Sequence, residues 1–258
     1  MMMPLTLLFL PGTGLPEEFY APLLDYLRRF GKVDQHRYQH SESMAAACKR
    51  LGAEADLFSP LRHEVCCGPI SRERSLLGLK VSDAIVTQHE TKHRGECVKA
   101  LWRRTVVVGH SQGAGHALML SQIHQLAGAI MVAGPADASR GRLAAWTRAS
   151  YKTPLNRRMV LVHEKDGGSE AVVAHAKAGG MKVYERHEAL QIKTGGYTIL
   201  EKGPIPPLAA HGSLAGALTW AKQSVMYADY SELLSRKLVE WQNSEDLASH
   251  KRADTTLE

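Results

Sequence analysis

Short apolar runs alternate along this chain with segments of helical periodicity. Strand-like runs cover residues 5–10, 105–108, 129–133, 159–163 and 181–184. Continuous apolar runs, as opposed to alternating ones, are typical of strands buried on both faces. The order of runs and helical segments therefore predicts an α/β fold with a mostly parallel central sheet and helices on both faces.

Helical periodicity fills the intervals between these runs. In the first interval, Phe19, Leu23, Leu24 and Leu27 lie on one face of a helix predicted over 16–29. Further helices are predicted at 43–51, 114–125, 140–150, 170–178, 214–227 and 231–241. A hairpin around Gly195 is expected within residues 190–201.

The length and composition suit one globular domain. The chain has 258 residues, of which 44% are hydrophobic and 22% charged, enough to bury a full core. We assign residues 1–242 to a single α/β domain and the polar residues 243–258 to a disordered tail. The last helix carries an apolar stripe that packs on its own domain or, as the less favoured interpretation, pairs with a second copy in a homo-oligomer: Leu233, Leu234, Leu238 and Trp241.

Charge and hydrophobicity argue against several classes of partner. The formal net charge is +6, but Lys and Arg are scattered along the chain, which favours a solvated surface over a nucleic-acid-binding one. No apolar run is long enough to span a bilayer, and the first run lacks the basic flank and cleavage site of a signal peptide. The four cysteines have no C-x-x-C spacing, which favours reduced thiols in a cytoplasmic protein.

The most specific motif is Gly-His-Ser-Gln-Gly, which spans Gly109 to Gly113 around Ser111. A β-branched apolar run precedes it and a helical segment follows, as a nucleophile elbow requires. Such an elbow holds its serine in a strained turn between strand and helix, so the flanking positions must lack bulky side chains. The motif therefore predicts that Ser111 is a nucleophile.

A serine nucleophile needs a histidine to accept its proton and a carboxylate to orient that histidine. In strand-turn-helix elbows the chain order is serine, acid, histidine. Asp166 follows the apolar run at 159–163, so it lies at the sheet edge expected for Ser111. Asp137, one strand earlier, is the alternative acid.

The chain contains 13 histidines, and position selects two candidates for the base. His211 precedes a predicted helix late in the chain and is favoured. His187 follows the run at 181–184 more closely and remains the alternative. His110 and His116 flank the serine and either contact substrate or have a packing or hydrogen-bonding role.

Two backbone donors are expected to stabilise a tetrahedral oxyanion. One is the N–H of Gln112, the residue after the nucleophile, and the second comes from the loop after the first strand, where Thr13 is the candidate. That loop also resembles the start of a dinucleotide-binding fingerprint. Glu17 occupies the place of its third glycine, however, and a carboxylate would repel a pyrophosphate.

These residues together resemble the α/β-hydrolase superfamily of serine esterases, lipases and thioesterases. The resemblance implies a Ser111, Asp166 and His211 triad without metal or organic cofactor, acting on a small-molecule substrate. Residues 134–158 are too few for a large cap, which implies a minimal lid. The connection over 38–104 is longer than usual in the family and is expected to supply pocket walls.

The sequence thus predicts a serine hydrolase that cleaves a carboxylic ester or thioester through an acyl-enzyme, similar to carboxylesterases and lipases. One alternative is a zinc metallopeptidase, since His89, Glu90 and His93 match the H-E-x-x-H pattern. Such a site needs a third ligand, and the His-x-x-Gly-x-x-His extension that would supply it is missing, because Glu96 stands where its glycine would be. A noncatalytic hydrolase-fold protein that binds a small ligand is the other alternative.

Overall fold

The structure is a computed structural model and describes residues 5–12, 15–35, 102–134 and 151–254. It contains seven strands, which are β1 (Leu5–Leu10), β2 (Gly31–Gln35), β3 (Thr105–His110), β4 (Gly128–Val132), β5 (Arg158–His163), β6 (Lys182–Tyr184) and β7 (Tyr197–Glu201). The helices are α1 (Glu17–Leu27), α2 (Gln112–Ile123), α3 (Ser169–Ala178), α4 (Arg186–Ala189), α5 (Pro207–Ser213), α6 (Ala217–Trp220) and α7 (Val225–Asp254).

The seven strands form one parallel sheet in the order β2-β1-β3-β4-β5-β7-β6. In the centre, Leu8 of β1 pairs with Val107 of β3, and Val108 of β3 pairs with Ile130 of β4. Every residue of β3 is buried, as expected for a parallel strand covered on both faces. The predicted α/β fold with a parallel central sheet is confirmed.

Alternate residues of β1 enter two separate hydrophobic cores. Leu8 and Leu10 pack with side chains of α2 and α3 on one face of the sheet. Leu7 and Phe9 pack with α1 and α7 on the other face, because successive side chains of a strand point to opposite sides. Helices therefore cover both faces, as predicted. The apolar stripe of α7 is buried in the second core of its own chain.

The hairpin predicted within residues 190–201 is wrong. The segment instead contains a turn with Gly195 at φ 104°, followed by β7, which pairs in parallel with β5 and β6. Both edges of β7 are therefore occupied by parallel neighbours, and no antiparallel strand of a hairpin can pair with it. The glycines that suggested a hairpin turn lead into a parallel strand.

Two other elements differ from the sequence-based expectation. Strand β2, with the sequence GKVDQ, lies at the sheet edge and has no apolar run to reveal it. The helix predicted over 214–227 is interrupted between α6 and α7, and α7 continues to Asp254, past the predicted end at 241. Hydrophobic periodicity detects only the buried part of α7, since its last residues are polar.

Several predictions concern residues outside the described part of the chain. These are the helices at 43–51 and 140–150, most of the connection over 38–104 and most of the minimal lid between 134 and 158. The single-domain assignment over 1–242 stays a prediction. Among the described residues, no helix has both the length and the apolar character needed to cross a membrane.

Close packing at Gly128 provides a test of how α7 is attached to the sheet. A β-carbon at this position would lie 2.1 Å from Cε3 of Trp241, a fully buried side chain whose indole N–H donates to the Asn156 carbonyl at 3.2 Å. Gly128→Ala should therefore lower the free energy of unfolding by about 1–3 kcal/mol, as measured by urea denaturation.

The matched control is Gly167→Ala, because a β-carbon there meets no atom within 4 Å. Equal stability of the two variants would contradict the packing of Trp241 against β4.

Candidate active site

Ser111 lies in a sharp turn between β3 and α2, with φ 55° and ψ −115°. This positive φ is uncommon for a residue with a side chain. A β-carbon on Gly109 would lie 2.1 Å from the Gly113 carbonyl oxygen, and one on Gly113 would lie 1.9 Å from that of Leu10. Both glycines are therefore required by close backbone approach. Together with the Ser111 N–H, which donates to Val132 O at 2.9 Å, they fix the strained turn.

The side chains of Ser111, His211 and Asp166 form a continuous hydrogen-bonded set. The Ser111 hydroxyl donates to His211 Nε2 at 2.7 Å, and His211 Nδ1–H donates to Asp166 Oδ2 at 3.0 Å. These three residues are separated by 45 to 100 positions along the chain. The fold alone brings them together, at the carboxyl edge of the sheet.

The loop between β5 and α3 holds Asp166 by main-chain hydrogen bonds. The Asp166 N–H donates to His163 O at 3.0 Å, and its carbonyl accepts from the Ser169 N–H at 2.8 Å. The buried His163 ring adds a further bond, since its Nδ1 accepts from the Lys165 N–H at 3.1 Å. The carboxylate is therefore presented by a short loop with a defined shape.

Electrostatics favour a basic imidazole at His211. Its pKa is raised above the ordinary value, chiefly because it donates a hydrogen bond to the Asp166 carboxylate, while partial burial opposes the rise. A carboxylate on Nδ1 also fixes the tautomer, so that Nε2 carries the lone pair that faces Ser111. The arrangement is suited to removing a proton from the serine hydroxyl.

A second hydrogen-bond network adjoins this set. The Gly12 N–H donates to the Tyr20 hydroxyl, which contacts His110 Nδ1, and His110 Nε2 contacts the His211 carbonyl oxygen, each at 2.9 Å. A hydrogen-bonding role for His110 was one of the interpretations of the sequence, whereas Tyr20 was not predicted to belong to the site. No local pattern could reveal Tyr20, because its contact spans 90 positions of the chain.

The structure brings together the favoured acid and base. Asp166 and His211 contact one another, whereas His187 is exposed on α4 with its Nδ1 3.9 Å from Glu185. The alternative acid Asp137 lies outside the described residues, as does Thr13. Gln112 is the first residue of α2, a position whose N–H has no partner within the helix.

The H-E-x-x-H residues His89, Glu90 and His93 also lie outside the described residues. Within the described ranges, no group of three or more His, Cys, Asp or Glu side chains is arranged to hold a metal ion.

The fold matches that of solved hydrolases. Esterase B from Lactobacillus rhamnosis, solved with a tributyrin phosphonate inhibitor, has a TM-score of 0.50 at 13% identity, covering 96% of this chain and 79% of the esterase. A thermophilic esterase from Thermogutta terrifontis has a TM-score of 0.46 at 14% identity, covering 92% of this chain and 83% of that one. No protein-family model matches the sequence, and no curated protein does. The likeness to esterase B shows that the chain has the α/β-hydrolase fold.

The hydrogen bond to Asp166 predicts a raised pKa for His211 that can be measured without a substrate. In an NMR titration, the His211 imidazole should titrate above the ordinary histidine pKa of about 6.5, because Asp166 stabilises the protonated ring. In Asp166→Asn the pKa should fall to or below the ordinary value, since burial remains and disfavours the charged ring. A His211 pKa that is unchanged by the substitution would contradict the pairing.

Proposed function

We propose that this chain, with its α/β-hydrolase fold, is a serine hydrolase that cleaves a carboxylic ester or thioester through an acyl-enzyme. The single observation that carries the proposal is the hydrogen-bonded set of Ser111, His211 and Asp166, with the serine hydroxyl 2.7 Å from the imidazole. Binding a ligand without catalysis does not require a serine that is held in a strained turn and hydrogen-bonded to an oriented base.

In the first step, Ser111 Oγ attacks the substrate carbonyl carbon while His211 Nε2 accepts the hydroxyl proton. The tetrahedral intermediate collapses when the protonated His211 returns that proton to the leaving alcohol or thiol. Asp166 keeps the ring oriented and stabilises its positive charge. In the second step, a water molecule deprotonated by His211 attacks the acyl-enzyme and releases the carboxylic acid.

The oxyanion that forms in both steps needs hydrogen-bond donors. We assign one to the Gln112 N–H at the start of α2, where the positive end of the helix also favours negative charge. The N–H of Gly12 is engaged by the Tyr20 hydroxyl at 2.9 Å. This leaves the following residue, Thr13, as our proposed second donor. No metal or organic cofactor enters either step.

The substrate class proposed is a small-molecule carboxylic ester or thioester, as for carboxylesterases and lipases. Esterase B was solved with a tributyrin phosphonate inhibitor, and we extend the ester class to the present chain as part of the proposal. Since the base must be neutral, activity should rise with pH through the pKa of His211, which lies above the ordinary histidine value.

Ser111→Ala should reduce kcat on a p-nitrophenyl ester by about 10⁶-fold if the triad acts as a unit. The loss is large because no other group supplies the attacking oxygen. The variant should fold normally, since alanine retains the β-carbon that the turn already accommodates.

The control for this substitution is Ser231→Ala, whose hydroxyl donates only within α7, to the Ala228 carbonyl. This control should retain wild-type activity. Ester hydrolysis at the wild-type rate in Ser111→Ala would refute the proposed function.

A further inference from the structure

We propose that Tyr20 and His110 are positioning residues that join the loop after β1, the serine turn and helix α5 into one fixed arrangement. The inference rests on the proposed function, because it concerns how the same Ser111 and His211 are held for reaction. Neither side chain is assigned a chemical step.

The direction of each hydrogen bond follows from the two ends of the network. A peptide N–H can only donate and a carbonyl can only accept. The Gly12 N–H therefore donates to the Tyr20 oxygen, and the His211 carbonyl accepts from His110 Nε2–H. A neutral imidazole that donates from Nε2 accepts at Nδ1, so the Tyr20 O–H donates to Nδ1 at 2.9 Å. The network thus determines the tautomer of His110.

Because both side chains are buried, the loss of one of these hydrogen bonds would lower the stability of the folded state. Both Tyr20 and His110 have 0% of their surface exposed, and a buried polar group without a partner pays its full desolvation cost. Burial lowers the pKa of His110 to about 4 and raises that of Tyr20. The imidazole is therefore neutral and the phenol protonated near neutral pH, as the hydrogen-bond directions require.

Three parts of the site meet at these two side chains. Gly12 belongs to the loop that we propose carries the second oxyanion donor, and His110 directly precedes Ser111. A β-carbon on Gly12 would lie 2.9 Å from His110 Nδ1 and 3.1 Å from the Ser111 β-carbon. The loop and the serine turn are thus in direct contact, and glycine is needed at position 12 for that contact.

The third part is the helix that carries the base. The Ala215 N–H, which would bond the His211 carbonyl in a continuing helix, instead donates to Gly212 O at 3.2 Å. The His211 carbonyl is therefore available at the end of α5, and His110 Nε2–H is the donor that satisfies it. His110 consequently fixes the main chain of His211 while that residue's own side chain faces Ser111.

Packing alone does not explain the tyrosine hydroxyl. The Tyr20 ring makes edge contacts with Phe9 and Phe19, with ring centroids 4.9 and 5.0 Å apart, and a phenylalanine would retain both contacts. The hydroxyl adds only the link between Gly12 and His110. Tyr20→Phe therefore removes the link and leaves the aromatic packing in place.

The test compares Tyr20→Phe with Tyr26→Phe. Tyr26 is also buried on α1, and its hydroxyl bonds Ser231 O and Ser235 Oγ on α7, where no triad residue lies. Both variants should show a similar fall in Tm. Tyr20→Phe should lower kcat for a p-nitrophenyl ester by up to about 100-fold with little change in KM, as expected for misplaced reacting groups, whereas Tyr26→Phe should keep the wild-type kcat. Equal kcat values in the two variants would overturn the inference.

A double-mutant cycle with His110→Gln tests whether the two residues act as a unit. The glutamine amide can still donate to the His211 carbonyl but lacks the Nδ1 acceptor that faces Tyr20. If the network acts as a unit, the loss of kcat in the double variant should be smaller than the product of the two single losses. Multiplicative losses would show that the residues act separately and would overturn the inference.

A third readout does not depend on activity. The ¹⁵N chemical shifts of the His110 imidazole should report the neutral Nε2–H tautomer in the folded wild type, and an Nδ1–H tautomer would overturn the inference. Failure of the proposed function would look different. If the wild type hydrolyses esters no faster than Ser111→Ala, both the proposed function and this inference are refuted. If the wild type is active and Tyr20→Phe has the same kcat as the wild type, only the inference is refuted.

Discussion

The site depends on one backbone constraint, the positive φ of Ser111. A residue with a side chain held in this region stores about 1–3 kcal/mol of strain, which persists only where the surrounding structure determines it fully. Here β3 is paired on both sides, and the β-carbon positions of Gly109 and Gly113 approach main-chain oxygens at 2.1 and 1.9 Å. The sheet supplies the rigidity, and the two glycines supply the space. Ser111 consequently lies in the turn at the sheet edge, outside the following helix, with its hydroxyl facing His211.

Parallel strands then determine which other side chains reach that hydroxyl. The carboxyl ends of neighbouring parallel strands share one edge of the sheet, where sites in open α/β folds form. Gly12 follows β1, Ser111 follows β3 and Asp166 follows β5. His211 comes from α5 after the last strand and completes the set through contacts with two of these loops. The serine, acid and base of the proposed reaction are all brought together at this edge.

Much of this could be predicted from the sequence, because its signals are local. The apolar runs locate β1, β3, β4 and β5 to within two residues, since parallel strands that are buried on both faces appear in the sequence as continuous runs of apolar residues. Ser111 is recognisable from its glycine spacing and flanks. Position after a buried strand then favours Asp166 over Asp137, and chain order favours His211 over His187. Both residues lie where these rules predict, within hydrogen-bonding distance of their partners.

Other features have no local signal. The edge strand β2 is polar, and the glycines at 195 and 196 suggest a hairpin although β7 has only parallel partners. The link from Gly12 through Tyr20 and His110 to His211 depends on contacts between residues 90 and 101 positions apart. A buried tyrosine on an amphipathic helix looks like any core residue in the sequence. Only the folded arrangement reveals that its hydroxyl joins two loops of the site.

The most direct test of the central claim is covalent labelling of the folded protein with a fluorophosphonate, followed by peptide mass spectrometry. Such a reagent phosphonylates a serine activated by a neighbouring base. We predict one adduct per chain, on Ser111, formed by the wild type and strongly reduced in His211→Ala. A folded wild-type protein that remains unlabelled at Ser111, or that is labelled equally well without the His211 imidazole, would contradict it.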